Sequence, residues 1–475
     1  MKNGMLGYSL SYWDRLRTGS LSLHQRQRTT TSLWNGKRLR QWCLFLVTVS
    51  LLYGCESVTL IAGKDGDIYG IDSNVRALFK IDPPTHQLVV LRRFSDAEGS
   101  PRVLVGGPDN TYYGVVEAST DSSDYSTLFG WRDGEYQRLH TFTSTKGEGC
   151  VCLVTDESRS LLYGLTTDSN TGGADLFSCT QEGQIRVLRR FSSSTCPVGL
   201  WEGNDHNLYG LAIVNISKGI VNFSKKIKYA LFTYQPQTGF QLLHVFAPCN
   251  DFSYPLQSPD GNTYFTAWGG WYRKGVLLCL TASKEIQLLY RFKKRVESYA
   301  PELIAYRSGH LYGIAKGGVH GDGLLFDYFQ GRCRVLHAFS RKSEAPAEGG
   351  AYQPRSDSPC YVLEDDRLTD GVNMGEDGQL YVVSPVGIYV CTLAGQYTLQ
   401  RRLPPQLAPK SAYGFVSYWM GSRLYGFLIQ GQSGVSGKPT RQTVVWEYTP
   451  QTQELRTLAQ LRAGPVGKGN KTRGG

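Results

Sequence analysis

The sequence predicts an all-β protein folded as a single eight-bladed β-propeller of four-stranded blades, with seven blades as the alternative. The first observation is composition: the 475 residues include 54 Gly and 29 Tyr, and only 19% are charged, which favours short strands joined by Gly-containing turns over helices. The second is a tyrosine that recurs in one setting, usually an apolar residue followed by Tyr and Gly. The third is its spacing of 44 to 69 residues, which fits propeller blades of roughly 40–50 residues. The eight repeated tyrosines are Tyr69, Tyr113, Tyr163, Tyr209, Tyr264, Tyr312, Tyr381 and Tyr425.

Four strands can be assigned within each repeat, in chain order. A short strand ends in a turn rich in Asp, Gly and Asn, as in "VGGPDNTYYG" and "MGEDGQLYV", because Gly and Asn tolerate the positive φ of tight hairpins. The tyrosine strand follows, and its alternation places Tyr163 and Leu165 on one face. The third strand carries pairs such as Phe177 and Cys179, and the fourth reads "VLRRF" at 187–191. Eight units of four strands give the propeller predicted over residues 55–462.

The repeat resembles the GloVer-type (Gloeo/Verruco) tandem repeat, a bacterial family of surface and secreted proteins. The family unit reads roughly D-G-x-L-Y-G-T-T, a Gly-Gly loop, a V-F strand and V-L-H-S-F. The copy here that is most similar to it is "GHLYGIAKGGVHGDGLLFDYFQGRCRVLHAFS" (309–340), and the resemblance covers about residues 58–460. It implies a β-propeller and an exported location, and it implies no particular activity.

Residues 1–54 read as a basic leader that ends in an apolar segment, 42–54. The run "WCLFLVTVSLLY" follows "KRLRQ", the order of basic and hydrophobic regions in a secretory signal, and it is shorter than the roughly 20 residues of a membrane span. "LYGC" (52–55) resembles a lipobox, which implies that a diacylglyceryl group is attached to Cys55 and that the chain is cut before it. An uncleaved signal anchor with Cys55 as an ordinary thiol is the alternative. The expected location is the cell envelope, as an outer-membrane lipoprotein or an exported periplasmic or surface protein.

Net charge argues against a nucleic-acid-binding face. The chain carries +11, but residues 1–54 hold eight Lys/Arg and one acidic residue, and a basic tail at 463–475, expected to be flexible, adds Lys468, Lys471 and Arg473. The body between them is therefore near neutral, so composition predicts no nucleic acid partner.

The sequence contains histidines and cysteines that could hold a metal, but their positions in the repeat favour structural roles. His140, His244 and His337 all occur in Leu-His-x-Phe on the fourth strands of different blades, so they cannot converge on one ion. Cys150 and Cys152 would share a strand face by alternation, which suits a metal or redox pair, but no second pair stands at zinc spacing. No nucleophile-elbow, zinc-protease, P-loop or Rossmann motif is present. The sequence therefore predicts no cofactor, no metal and no catalytic residue.

Connection length indicates where binding occurs. The gap between second and third strands varies, and one large insertion precedes a new blade, whereas the third-to-fourth gap is nearly constant. The two variable connection types emerge on one face of a propeller, so excursions at about 212–230, 341–368 and 428–443 are expected together there. The predicted partner-binding residues on them are the basic Lys225, Lys226 and Lys228 and the acidic Glu364, Asp365, Asp366 and Asp370.

These observations favour an exported, membrane-anchored lipoprotein whose propeller binds or scaffolds a protein or polysaccharide partner, most simply as a monomer. The alternative is an enzyme of the lactonase or glycan-hydrolase type with an active site at the central channel. Carboxylates or histidines converging at the channel would favour the enzyme, and a charged or aromatic loop face would favour the binding module.

Overall fold

The chain forms eight successive sheets arranged as an eight-bladed β-propeller, which confirms the predicted fold class and number of blades. The computed structural model describes residues 58–462 apart from 109, 119–123, 144–147, 157–159, 169–172, 193, 215–227, 250, 254, 270–271, 294–298, 321, 341–370, 385–386, 405, 408–411 and 434–438. The leader with Cys55 and the tail 463–475 lie outside the described residues.

The first four blades comprise the following strands. Blade 1 has β1 (Val58–Ala62), β2 (Ile68–Asp72), β3 (Ala77–Asp82) and β4 (Gln87–Arg93), and blade 2 has β5 (Ser100–Gly106), β6 (Tyr112–Glu117), β7 (Asp124–Arg132) and β8 (Glu135–Thr143). Blade 3 has β9 (Glu148–Asp156), β10 (Leu161–Asp168), β11 (Ala174–Cys179) and β12 (Ile185–Phe191), and blade 4 has β13 (Thr195–Glu202), β14 (Leu208–Val214), β15 (Lys228–Gln235) and β16 (Gly239–Val245).

The remaining blades follow the same plan, except that the first strand of blade 5 is in two short pieces. Blade 5 has β17 (Asp251–Phe252), β18 (Leu256–Gln257), β19 (Thr263–Gly269), β20 (Arg273–Leu280) and β21 (Ile286–Arg291), and blade 6 has β22 (Tyr299–Arg307), β23 (His310–Lys316), β24 (Leu324–Phe329) and β25 (Arg332–Ala338). Blade 7 has β26 (Val372–Met374), β27 (Leu380–Val383), β28 (Gly387–Cys391) and β29 (Tyr397–Arg402), and blade 8 has β30 (Ala412–Met420), β31 (Arg423–Ser433), β32 (Pro439–Thr449) and β33 (Glu454–Arg462). Within these described ranges no helix has the length and apolar character needed to cross a membrane.

Each blade is an antiparallel meander in chain order. First strands of neighbouring blades contact one another, so they lie around the central channel and the fourth strands lie outermost. Because strand direction alternates, the connections between strands one and two and between three and four share one end of the ring, here called the turn end. The connections between strands two and three, and from each blade to the next, share the opposite, loop end. Eight hydrophobic clusters, one at each blade junction, form the core.

The glycine after the repeated tyrosine allows an aromatic ring of the third strand to lie against the second. In six blades this position is Gly and its cross-strand partner is Phe or Trp. A Cβ at Gly313 would overlap both the Phe326 ring and the carbonyl of Glu302. The pairs are Gly70–Phe79, Gly114–Phe129, Gly164–Phe177, Gly210–Phe232, Gly313–Phe326 and Gly426–Trp446, with Phe265–Leu278 and Val382–Tyr389 in the other two blades. The repeat glycine therefore permits a close approach of the ring from the third strand.

The fourth strand of every blade carries a β-bulge at the same repeat position. In blade 3, Phe177 pairs with Val187 and the residue before it pairs with Arg189, so Leu188 is the extra residue. The bulged residues are Leu91, Leu139, Leu188, Leu243, Leu289, Leu336, Gln400 and Leu458. Because the outermost strand is an unpaired edge, a bulge there opposes pairing with a strand of another chain.

The ring closes where blade 8 packs on blade 1, a junction here called the seam. Each of these blades is built from contiguous chain, so no strand is exchanged across the seam. An apolar cluster joins the two blades, and the Tyr418 hydroxyl donates to the Val58 carbonyl at 2.7 Å. The Glu447 carboxylate, which is only 1% exposed, contacts His86 and accepts from Arg423 at 3.5 Å. Closure therefore depends on these contacts between blades and not on a shared sheet.

Candidate binding surface

Connection length differs sharply between the two ends of the ring. At the turn end every connection has two to five residues. At the loop end connections range from three residues (270–272) to 33 (339–371). A hairpin of two to five residues has few permitted geometries, so variation in length is accommodated at the loop end. This is the face on which the sequence predicts binding.

Two of the three expected excursions are bounded by strand ends at the loop end. In blade 4, Val214 and Lys228 form the last pair of the central hairpin and flank residues 215–227. The expected excursion at 428–443 is wrong, because β31 and β32 stay paired as far as Ser433 and Pro439. The threonines and valines of "PTRQTVV" favour extended pairing and override the Gly/Ser content before them.

Among the seven predicted partner-binding residues, Lys228 lies within the described part of the chain. It is the first residue of β15 and is exposed at the loop end. The predicted residues outside the described ranges are Lys225, Lys226, Glu364, Asp365, Asp366 and Asp370.

Charged side chains are distributed unequally between the two ends. Among described side chains, basic residues outnumber acidic ones by 14 to 7 in the half nearer the loop end, and acidic outnumber basic by 16 to 11 in the other half. The loop half holds Arg76, Arg92, Arg93, Arg102, Arg189, Arg190, Lys228, Lys274, Arg291, Lys293, Lys316, Arg401, Arg402 and Arg462, against Asp72, Asp96, Glu98, Glu117, Asp175, Glu302 and Asp322. The turn half holds Asp65, Asp67, Asp82, Asp133, Glu135, Asp156, Glu182, Glu202, Asp205, Asp260, Glu285, Asp327, Glu376, Asp377, Glu447 and Glu454, against Lys64, Lys80, Arg132, Arg138, Arg186, Lys284, Arg307, Arg332, Arg334, Arg423 and Arg456. The net charge of the propeller body, which is near neutral, does not reveal this segregation because it carries no information on which end of a strand each charged residue occupies.

Some of the basic side chains at the loop end are fixed by partners and others project into solvent. Arg92 donates to Glu98 at 2.6 Å and its guanidinium lies 3.8 Å from the centroid of the Tyr136 ring. Burial acts to raise the pKa of Glu98, but hydrogen bonds from Ser95 and Arg92 hold that pKa below its ordinary value. Arg190 lies 3.8 Å from the Asp175 carboxylate and is 81% exposed. The loop end thus presents both partly buried, hydrogen-bonded positive charge and positive charge that is largely open to solvent.

Three histidines at the turn end contact carboxylates. Nδ1 of His206 lies 2.8 Å from Glu202, Nδ1 of His310 lies 2.7 Å from Asp327, and His86 belongs to the seam. Sequence reasoning missed these pairs because it considered only the histidines of the Leu-His-x-Phe repeat. They lie in different parts of the ring, and no group of three or more His, Cys, Asp or Glu in the described ranges is placed to hold a metal ion.

A shallow polar depression lies at the turn end between blades 4 and 5. Glu202 and His206 line it together with two amide side chains. Asn204 donates to the Ser258 carbonyl at 2.7 Å, and Gln257 donates to the Glu202 carbonyl at 2.5 Å. These amides therefore connect the two blades.

The aspartates of the tight turns hold the turns closed, as interpreted from the sequence. Asp65 accepts the backbone N–H of Asp67 at 3.1 Å and the hydroxyl of Tyr69 at 2.7 Å. The same tyrosine–aspartate bond recurs at 2.8 Å in Tyr209–Asp205 and Tyr381–Asp377. Burial first, and then the aspartate, raises the pKa of each of these tyrosines far above its ordinary value. They are therefore neutral structural donors.

The histidines of Leu-His-x-Phe have a structural environment. The rings of His140, His244 and His337 pack edge-on against the Phe two residues later, at centroid distances of 4.8, 4.7 and 5.1 Å. They lie on blades 2, 4 and 6, so the three rings cannot share one ion. Burial also lowers the pKa of His244.

Cys150 and Cys152 do not share a face, contrary to the expectation from alternation. Cys152 pairs with Leu165 and Cys150 with Thr166, so Val151 is an extra residue. That bulge turns Cys150 into the cluster toward blade 2 and Cys152 into the cluster toward blade 4. Burial raises the pKa of Cys152 to about 11 and raises that of Cys150 further, so neither thiol is activated. The eight cysteines in the described ranges form no disulfide with one another.

Comparison with known proteins shows the fold alone. No protein-family model and no curated sequence matches the chain. Dipeptidyl peptidase 4 of Porphyromonas gingivalis is similar over 85% of this chain and 59% of that one, with 10% identity and a TM-score of 0.52. The β-propeller domain of the trilobed protease of Pyrococcus furiosus is similar over 79% and 99%, with 8% identity and a TM-score of 0.43. Virginiamycin B lyase of Staphylococcus aureus is similar over 54% and 75%, with 14% identity and a TM-score of 0.35. Identities this low establish a β-propeller and nothing about its activity.

Proposed function

We propose that the chain is a binding module of the cell envelope that engages a protein or polymer partner through the loop end of its propeller. The observation that carries this proposal is the confinement of variable connections to one end, where lengths run from three to 33 residues against two to five at the other. A ring of tightly turned hairpins holds such connections in a fixed relation, which is how rigid scaffolds present recognition loops.

The charge of the loop end supports the same assignment. Exposed basic residues such as Lys228, Arg190 and Arg401 stand around the variable connections. Positive charge concentrated at one end steers an anionic partner toward that end and orients it on contact. An acidic protein surface or an anionic polymer is therefore the partner class that fits.

Site-specific photocrosslinking in intact cells tests which end is used. A photoreactive amino acid is placed at Lys228 or Val319 at the loop end, and at Glu182 or Arg332 at the turn end; all four positions are exposed. Adducts are expected from the first two positions and not from the second two. Adducts formed mainly from Glu182 and Arg332 would contradict the proposal.

Export and lipidation at Cys55 complete the proposed function. The apolar run before Cys55 and the start of β1 at Val58 leave only two residues between the modified thiol and the propeller. Cys55→Ser is expected to abolish palmitate labelling and to leave the precursor uncut, with Cys43→Ser in the same apolar run as the matched control. Equal labelling of the two variants, or an unprocessed N-terminus in the unsubstituted protein, would oppose lipidation at Cys55.

A further inference from the structure

We infer that the loop end of the ring docks face-down on an anionic lipid bilayer, with the acidic turn end directed away from the membrane. The inference rests on the proposed function in two respects, that the loop end is the binding end and that Cys55 carries a lipid, and it adds an anionic bilayer to what this end binds. The position of the chain ends, the charge of the loop end and the charge of the opposite end each lead to it.

The first and last strands of the propeller both connect to the rest of the chain at the loop end. First strands run from the loop end to the turn end, so Val58 lies at the loop end beside the channel, where its carbonyl is held by Tyr418. Fourth strands run the opposite way, so Arg462 also lies at the loop end, and its carbonyl accepts from Arg93 at 2.8 Å. The Lys/Arg-containing tail that follows Arg462 begins there too.

The short connection between Cys55 and Val58 limits how far the loop end can lie from a bilayer that holds a lipid on Cys55. Three residues span at most about 11 Å when fully extended. This is close to the Debye length of about 10 Å at 0.1 M salt, so a lipid on Cys55 would hold the loop end where headgroup charge is still felt.

The charge of the loop end complements anionic headgroups. Among the described side chains, basic residues outnumber acidic ones there by 14 to 7, and the pairs of arginines near the ends of several fourth strands lie at this end. Val319, at 63% exposure, adds an apolar side chain at the same end. Basic residues attracted to anionic lipid together with an apolar contact are the ordinary determinants of peripheral membrane docking.

The turn end cannot replace the loop end in this contact. Among the described side chains, acidic residues outnumber basic ones there by 16 to 11, so anionic headgroups repel this end. Face-down docking leaves this end, with the Glu202 and His206 depression, open to the aqueous phase.

Fluorescence quenching on vesicles tests the orientation with the full-length protein. A polarity-sensitive fluorophore is attached at Val319→Cys or, as the opposite-end control, at Glu182→Cys, and the labelled unsubstituted protein reports any signal from native thiols. Vesicles contain equimolar phosphatidylglycerol and phosphatidylcholine, or phosphatidylcholine alone, with a headgroup-attached quencher. The Val319 probe is expected to be quenched on the phosphatidylglycerol vesicles and the Glu182 probe to stay unquenched.

Charge reversal at opposite ends of fourth strands separates electrostatic docking from non-specific insertion. Arg190 and Arg186 lie at opposite ends of β12, and both are exposed. The variant Arg190→Glu with Arg401→Glu should weaken binding to phosphatidylglycerol vesicles by at least about tenfold, whereas Arg186→Glu with Arg332→Glu should not weaken it.

Equal effects of the two variants, or quenching at Glu182, would overturn the inference. If the protein binds both kinds of vesicle equally while crosslinks from Lys228 persist, membrane docking is wrong and the proposed partner binding stands. If the crosslinks are lost while the protein still docks on phosphatidylglycerol vesicles, the proposed partner binding is wrong and membrane docking stands.

Discussion

At the scale of single residues, the repeat glycine and the aromatic residue opposite it form one coupled choice. Six blades use Gly with Phe or Trp, and the two that lack Gly also lack that ring combination. The reason is space, since a side chain at Gly313 would occupy the volume already filled by Phe326. The sequence alone indicates that the glycine matters, but the identity of its partner requires the register of the two strands.

Gly313→Ala should lower the free energy of unfolding by about 1–3 kcal/mol, because the added methyl overlaps both a ring and a backbone carbonyl. Gly199→Ala is the matched control, since nothing lies within 4 Å of its Cβ position and its φ is not positive. The control should change stability by less than about 0.5 kcal/mol. Chemical denaturation of the two variants measures the difference, and equal destabilisation would show that the overlap is relieved without cost.

The pair can be exchanged as a unit. Gly313→Phe with Phe326→Leu reproduces the combination found as Phe265 and Leu278 in blade 5. The double variant should be less destabilised than the sum of its two single variants, because Leu leaves room for the new ring. A double-mutant cycle measures this coupling, and additive losses would contradict it.

Asp72 gives a pH dependence whose sign can be worked out. Its carboxyl is fully buried, and burial raises its pKa even though the N–H groups of Asn74 and Val75 donate to Oδ1. The Asp72 carboxyl therefore binds its proton more tightly in the folded protein than in the unfolded chain. Its protonated form stabilises the fold in full below the pKa of the unfolded chain, and this stabilisation is lost as pH rises through the higher pKa of the folded state.

Asp72→Asn keeps the accepting oxygen and cannot ionise. Its Tm relative to the unsubstituted protein should therefore rise as pH is increased from acid toward neutral. The exposed Asp133→Asn should show a nearly constant difference, since its side chain is 84% exposed. Melting curves across that pH range decide the matter, and a constant difference for Asp72→Asn would exclude a raised pKa.

At the scale of elements, the periodic features were predictable and the departures from period were not. Alternation and Asp-Gly turns located the strands of each blade, because both are local properties of the chain. The bulges at Leu188 and Val151 were not foreseen, since a bulge adds one residue to a strand without changing its composition. One such residue sends Cys150 and Cys152 to different blade junctions, which alternation alone could not reveal.

The predicted binding loops are separable from the fold. Val214 and Lys228 are the last cross-strand pair of their hairpin, so an Asn-Gly turn can replace residues 215–227 without removing a ladder pair. Residues 341–370 can likewise be shortened toward the three to nine residues that join the other blades. Both deletions should leave Tm nearly unchanged and should reduce crosslinking of the partner at Val319.

An insertion of similar length into the turn at 236–238, on the opposite end, serves as the control for loop changes in general. Crosslinking that survives both deletions would show that the long connections do not recognise the partner. A large fall in Tm would show that they also contribute to the fold.

At the scale of the whole molecule, one junction of the ring, between blade 8 and blade 1, is not bridged by a connection of the chain. Seven junctions are crossed by a continuous connection from one blade to the next, whereas the seam joins blade 8 to blade 1 with no covalent link across it. The repeat predicted eight units, but it could not show how the first and last meet, because the residues involved lie about 340 to 370 positions apart and obey no period. The segregation of charge is of the same kind, since it appears only when strand direction is known.

Glu447→Gln should therefore act on the seam more than on the rest of the ring. The carboxylate is almost fully buried, and its removal leaves Arg423 and His86 without their shared negative partner. Because Arg423 and His86 are 21% and 26% exposed and regain some hydration, the expected loss is about 1–3 kcal/mol, below that of a fully buried ion pair. Glu454→Gln in the neighbouring strand is the control, because that carboxylate is exposed beside Arg456.

Hydrogen exchange distinguishes opening of the seam from general loosening. If the seam is the weakest junction, Glu447→Gln should raise amide exchange in β1, β4, β30 and β33, which border it, while blades 3 to 6 keep the protection of the unsubstituted protein. Tyr418→Phe, which removes the 2.7 Å bond to the Val58 carbonyl, should shift the same strands in the same direction. A uniform rise in exchange around the ring would contradict a local seam, because it would mean that the eight blades unfold as a single unit whichever junction is weakened.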